Sequence, residues 1–327
     1  MIVSAYTDVN RDTRDMVIVI VAAVATVGIV FSGMFVYSGV WPPFSVVESG
    51  SMQHSDRAEL GIIDTGDMVI VRTMDKDDTI VSYVEGYSSG YSRFGEYGDV
   101  IVYERGGGKN PVIHRPIIWL DYNETSSTWS APSLENYPYW YITNDTGDVI
   151  PDPDYMDISG RLVVENIGFS NKSAALDLRT GSTLSTIGQS GYATMGDSIG
   201  NFTFDQSGGI IDRFVSKDMI MYTAGAEIPW VGSLKLYFTG KNIDQIPPNS
   251  IPSIIVCAIA LINIFVVLFA FLDWLESRRP YNDGDTDQQD PEEGGEEAPH
   301  PSISIGEWLR EDSNRSSDEI EEPDKGK

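Results

Sequence analysis

Two uncharged apolar runs constrain this chain more than anything else in it. Residues 16–37 and residues 251–272 each extend for 22 positions without an Asp, Glu, Lys or Arg. As helices they reach roughly 33 Å, against a hydrocarbon core of about 30 Å. Runs of that length read as membrane spans, not as core helices. The first is also too long for the apolar part of a cleaved signal peptide. Tyr37-Ser38-Gly39-Val40-Trp41-Pro42, which follows it, offers no small-x-small exit.

Basic residues set the expected orientation. Arg11 and Arg14 precede the first span, and Arg278 and Arg279 follow the second. Both pairs favour the cytoplasm. The organisation expected is a cytoplasmic start at 1–15, spans at 16–37 and 251–272, an extracytoplasmic domain at 38–250 and a cytoplasmic tail at 273–327, in the cell membrane. Asn-x-Ser/Thr sequons at Asn123, Asn144, Asn171 and Asn201 fall in the outer region and fit an exported face.

The net charge is −27. After Leu272 there are 18 acidic residues against 6 basic ones, and that tail is expected to be disordered. Its exception is the mildly amphipathic stretch 303–309. The remaining acidity is spread over the outer domain, a pattern that suits solubility in concentrated salt and a halophilic archaeal source. With no basic patch to neutralise phosphates, nucleic acid is not an expected partner. The single cysteine, Cys257, lies within the second span, so disulfides are excluded. One Cys and three His leave no basis for a structural zinc site, and no cofactor is expected.

Between the spans the pattern is strand-like, with β-branched and aromatic runs separated by Gly, Asp, Asn and Ser. The clearest strands are expected at 68–72, 99–103, 111–120, 139–143, 161–167, 219–223 and 234–238. The fold class expected is mostly β, a domain of about 200 residues, enough for a single core, between two transmembrane helices. Residues 121–190 read as an insertion with strands of its own. Gly106-Gly107-Gly108-Lys109 lacks a phosphate-loop pattern and joins two strands, so it reads as a hairpin turn.

A serine needs a neighbouring base to become a nucleophile. Ser49-Gly50-Ser51-Met52 begins only 12 residues past the first span, and histidines occur at 54, 114 and 300. His300 is in the tail, His54 has no strand to hold it, and His114 stands in the run 111–120. Ser49-Gly50-Ser51-Met52, Thr65-Gly66-Asp67-Met68-Val69, Gly98-Asp99-Val100-Ile101-Val102-Tyr103 and Ile113-His114-Arg115 together resemble the successive boxes of a type I signal peptidase, of the archaeal and endoplasmic-reticulum kind that carries His-Arg. That resemblance implies a signal-peptidase-like β catalytic domain and a serine endopeptidase that removes signal peptides after small residues.

Carried onto this sequence, the resemblance makes Ser51 the nucleophile and His114 the general base, with the Ser51 amide and the Ser49 hydroxyl as oxyanion donors. Two stretches imitate the family's acid box. One is Thr146-Gly147-Asp148 with Asp152 and Asp154; the other is Thr194-Met195-Gly196-Asp197 followed by Phe204-Asp205-Gln206. The second is the better match, so Asp205 is expected to support the imidazole, with Asp197 nearby as a second acid. The sequence departs from the family at His54, where relatives carry proline, at Ser198-Ile199 in place of Asn-Asn, and in the spacing of eight between the acids. Expected partners are the signal peptides of secretory preproteins and membrane lipid, with the protein translocation machinery a further candidate. The competing readings are an outside-facing β module that binds a partner, and a degenerate relative that has kept the fold alone.

Overall fold

The computed structural model describes residues 2–74 and 78–278; the acidic tail from residue 279, with His300 and the 303–309 stretch, lies outside them. Helix α1 (Ile2–Ser38) runs through the polar start into the first apolar run. There follow strands β1 (Phe44–Val46) and β2 (Met68–Arg72), helix α2 (Tyr83–Ser89), and strands β3 (Ser92–Arg93), β4 (Glu96–Tyr97), β5 (Ile101–Tyr103), β6 (Val112–Asn123), β7 (Thr128–Ser130), β8 (Trp140–Thr143), β9 (Arg161–Ile167) and β10 (Lys172–Asp177). Helix α3 (Thr183–Ile187), strands β11 (Gly191–Met195) and β12 (Ile220–Ile228), and helices α4 (Val231–Thr239) and α5 (Ser250–Ser277) complete the order. The protein is thus mostly sheet, between two helices long and apolar enough to cross a membrane, at Met16–Ser38 and Ser250–Leu272.

One large sheet runs β1-β2-β12-β5-β6-β11, with β7 added against β6. Every pairing in it is antiparallel. Alternation explains its inner face: in Met-Val-Ile-Val-Arg of β2, Val69 and Val71 are buried while Met68 and Ile70 are only partly so. A second sheet, β10-β9-β8, is formed within residues 121–190, so the stretch read as an insertion does carry strands of its own. Gly106, Gly107 and Gly108 all have positive φ in the β5–β6 connection, a backbone that residues with a Cβ resist.

Two sequence readings need amending. Residues 234–238 are not a strand but lie in helix α4, bracketed by left-handed residues at Trp230 and Gly240. Gly232 lets this helix lie close against the 66–67 turn, since a Cβ there would meet the backbone oxygens of Gly66 and Asp67 at 2.9 Å. Strands β1, β3, β4, β7, β10 and β11 are missing from the expected set; β11 is buried at every position and so shows no alternation to read.

Three buried clusters position the site. Met52 belongs to the one built on Val69, Val71 and Val100. Phe204 lies in another with Trp129, Leu162 and Phe214. Ile101 and Tyr103 of β5 lie in the third. The residues flanking the expected nucleophile and acid are therefore pinned in packed interior, whose large side chains each contribute about 3–5 kcal/mol against truncation.

Candidate active site

Ser51 sits in a single 3-10 turn, Gly50–Met52, directly after β1. Met52 is 1% exposed and fastens the turn below. From the side, Gln245 Oε1 accepts from Gly50 N at 3.2 Å and Asn242 Nδ2 donates to the Glu48 carbonyl at 2.6 Å. The Ser49 and Ser51 hydroxyls are 3.3 Å apart. His114 stands on β6 opposite Ile101 of β5, and is 2% exposed. Ser49, Ser51 and His114 all line one cleft of about 600 Å³, between the β1 end of the sheet and the start of β6.

Behind the imidazole is Asp205. Its two carboxylate oxygens lie 2.9 and 2.8 Å from His114 Nδ1. Oδ2 also accepts from the Tyr103 phenol at 2.8 Å and from the Thr194 hydroxyl at 2.6 Å. A carboxylate surrounded by donors is an ionised acceptor, and it fixes the proton of a neutral imidazole on Nδ1. Nε2 is left as the basic nitrogen. Burial, with the Asp205 charge beside it, raises the Tyr103 phenol far above its ordinary value, so it remains a donor.

Asp197, expected nearby as a second acid, pairs with Arg115. Adjacent residues on a strand point to opposite faces, so His114 and Arg115 look opposite ways from β6. Asp205 serves the first and Asp197 the second. The Arg115 guanidinium donates through Nε at 3.0 Å to Oδ1 and through Nη2 at 2.6 Å to Oδ2 of Asp197. Its Nη1 donates to the Gly98 carbonyl at 2.9 Å. Burial alone would raise the Asp197 carboxyl, but the Arg115 and His54 side chains outweigh it and hold it well below the usual range. His54 stacks on Phe169 at 4.2 Å and reaches Asp197 at 3.9 Å, an ion-pair distance too long for a hydrogen bond.

The turn between the two acids closes against the serine. Ser198 N donates to the Ser51 carbonyl at 2.9 Å. A Cβ on Gly196 would strike that same carbonyl and come within 3.0 Å of His114 Nε2, so only glycine fits there. A register shift in the β11–β6 pairing, between Ala193 and Thr194, falls beside this site. Such bulges re-aim side chains, and here Thr194 turns to Asp205.

No family model and no curated protein matches this chain. The site is therefore read from its own geometry. Of the two acid boxes, the later one supplies the carboxylate on His114. Asp148 and Asp154 close local turns instead, accepting from Asn144 Nδ2 at 3.5 Å and Met156 N at 2.8 Å respectively. The sequence reading placed Tyr103, Thr194, Gly196, Arg115 and Asp197 in its motifs but did not find the partner of any of them. Tyr103 lay within an expected strand, but nothing in its neighbours marked the partner of its phenol.

Proposed function

We propose that this chain is a membrane-bound serine endopeptidase that removes signal peptides from secretory precursors. The observation that carries the reading is Ser51 and a carboxylate-held His114 on the walls of one cleft. Ser51 Oγ attacks the scissile carbonyl carbon while His114 Nε2 takes the hydroxyl proton. The proton then passes to the leaving amine as the peptide C–N bond breaks. Water, deprotonated by the same nitrogen, releases the acyl group from Ser51 and restores the hydroxyl. Negative charge on the tetrahedral oxygen is met by the Ser51 N–H and the Ser49 hydroxyl, 3.3 Å from Ser51 Oγ.

Location supports the substrate class. The serine follows the first apolar helix by little more than a dozen residues, and the second begins at Ser250, shortly after the cleft-lining Asn242. A site held so close to lipid suits a substrate whose cleavage point emerges from the bilayer, with the domain on the extracytoplasmic side. The β1 edge, with Ser45, Val46 and Val47 in the cleft wall, offers backbone pairing to an extended peptide.

The test is processing of a tagged secretory precursor by membranes from cells that have no other such peptidase. Wild type is expected to release the mature protein, and Ser51→Ala and His114→Ala to leave at least about a thousand-fold less activity. Wild type that fails to process the precursor would overturn the peptidase reading in favour of a binding module, and processing by both variants at the wild-type rate would remove Ser51 and His114 from it.

A further inference from the structure

One buried cation takes no part in the steps above. Lys172, the first residue of β10, is 2% exposed. Its ammonium donates to two successive backbone carbonyls, Gly196 at 3.1 Å and Asp197 at 2.6 Å. Burial lowers its pKa, and the Asp197 and Glu96 charges oppose that shift. A desolvated ammonium is costly to keep inside a protein unless something fixed accepts its protons. Here the acceptors are the backbone of the turn that donates to the Ser51 carbonyl through Ser198 and, at Gly196, lies so near His114 that a Cβ would come within 3.0 Å of Nε2.

The rest of the β9–β10 hairpin end is docked on the same side. Tyr83 links to it twice, donating to the Asn166 carbonyl at 3.2 Å and accepting from Gly168 N at 2.9 Å. Phe169 stacks on His54, and Phe169 N donates to Glu96. The small sheet within 121–190 thus reaches the back of the candidate site through one charged side chain. A lysine with a lowered pKa is also a conceivable base. But the cleft is lined by His114 and not by Lys172, and the amine is already committed to two carbonyls.

We propose that Lys172 is a positioning residue. It clamps the turn at 196–198, and so sets the spacing between the Ser51 hydroxyl and the His114 imidazole. This rests on the peptidase reading. A displacement of about 1 Å between reacting groups costs on the order of a hundred-fold in rate. The turn is bonded to the Ser51 backbone and lies beside the imidazole, so its loosening acts on the chemical step more than on substrate binding.

The experiment compares purified full-length wild type, Lys172→Met, Lys172→Gln and Ser173→Ala on a precursor peptide. Rates are counted per folded molecule from the amplitude of the thermal unfolding transition. Ser173 is exposed on the other face of β10 and its variant serves as the unchanged control. Lys172→Met is expected to lower kcat by about ten- to a hundred-fold with KM within about three-fold, and to move the acid limb of the kcat/KM pH profile. Lys172→Gln, which retains a donor, is expected to recover part of the loss. An unchanged kcat and an unmoved pH profile in Lys172→Met would sink the inference. Should that variant not fold, wild-type kcat in Lys172→Gln sinks it equally. Wild type that fails to cleave at all overturns the peptidase reading instead, so the two failures are told apart.

Discussion

Asp205 holds the His114 imidazole with both carboxylate oxygens, at 2.9 and 2.8 Å from Nδ1, from a position 91 residues further along the chain. Tyr103 and Thr194 donate to the same carboxylate, so four side chains from four segments meet at one buried group. Such a carboxylate supports a base without accepting its proton. In a serine–histidine–aspartate site a carboxylate so placed selects the tautomer and stabilises the imidazolium that forms during attack.

Replacing Asp205 by Asn inverts that tautomer. The amide can keep an oxygen for Tyr103 and Thr194 while its NH2 turns to His114, which must then carry its proton on Nε2. Activity is expected to fall about ten-thousand-fold, the loss known where a serine–histidine–aspartate site suffers the same inversion. Thermal unfolding should move little, because every buried partner keeps a hydrogen bond. Asp154→Ala, in the same precursor-processing assay, should cleave at the wild-type rate. Activity retained by Asp205→Asn and lost by Asp154→Ala would reverse the assignment.

The Arg115–Asp197 pair predicts the opposite signature, in stability. Arg115 is wholly buried and Asp197 nearly so. Asp197→Asn leaves a guanidinium inside the protein without its countercharge, a change that costs about 3–5 kcal/mol. A lower midpoint in denaturant unfolding with unchanged slope checks this. A midpoint within experimental error of wild type would show that the pair contributes no net stability.

The contrast between these two acids marks where the sequence ran out. The β-branched run at 68–72 placed β2 residue for residue, and the apolar runs announced both long helices. The acids were harder, because Thr146-Gly147-Asp148 and Met195-Gly196-Asp197 look alike over a few residues. What separates them is the pairing of β11 with β6, which sets Met195 opposite Arg115 and Thr194 opposite Pro116. That is a long-range contact, and β11 is too uniformly buried to announce itself by alternation. Helix α4 was misread for a related reason. Leu-Lys-Leu-Tyr-Phe alternates well enough for a strand, but packing of Gly232 and the buried Leu236 against the rest of the fold overrides local preference.

A second buried acid group gives the protein a pH-dependent stability separate from its chemistry. Asp64 and Asp67 are each 1% exposed, and Glu227 is partly buried beside them. Burial is the main cause that pushes Asp64 up to about 7, aided by the charges of Asp67, Glu227 and Glu59. It likewise takes Asp67 to about 6 and Glu227 to about 7. One oxygen of Asp64 and one of Glu227 are buried without a hydrogen-bond partner among the described residues. With folded values above the unfolded ones near ~4, the folded state binds more protons across the interval from about 4 to about 7. Stability from this group is therefore greatest at the acid end and falls as pH rises through that window. Asp197 works the other way, because its lowered carboxyl loses its contribution only as pH drops below the ordinary carboxylate range. Unfolding midpoints of wild type and Asp64→Asn at pH 4.5 and 7.5 separate the effects. The wild-type midpoint is expected to drop between the two, and the variant to drop less; an equal drop in both would remove Asp64 from the account.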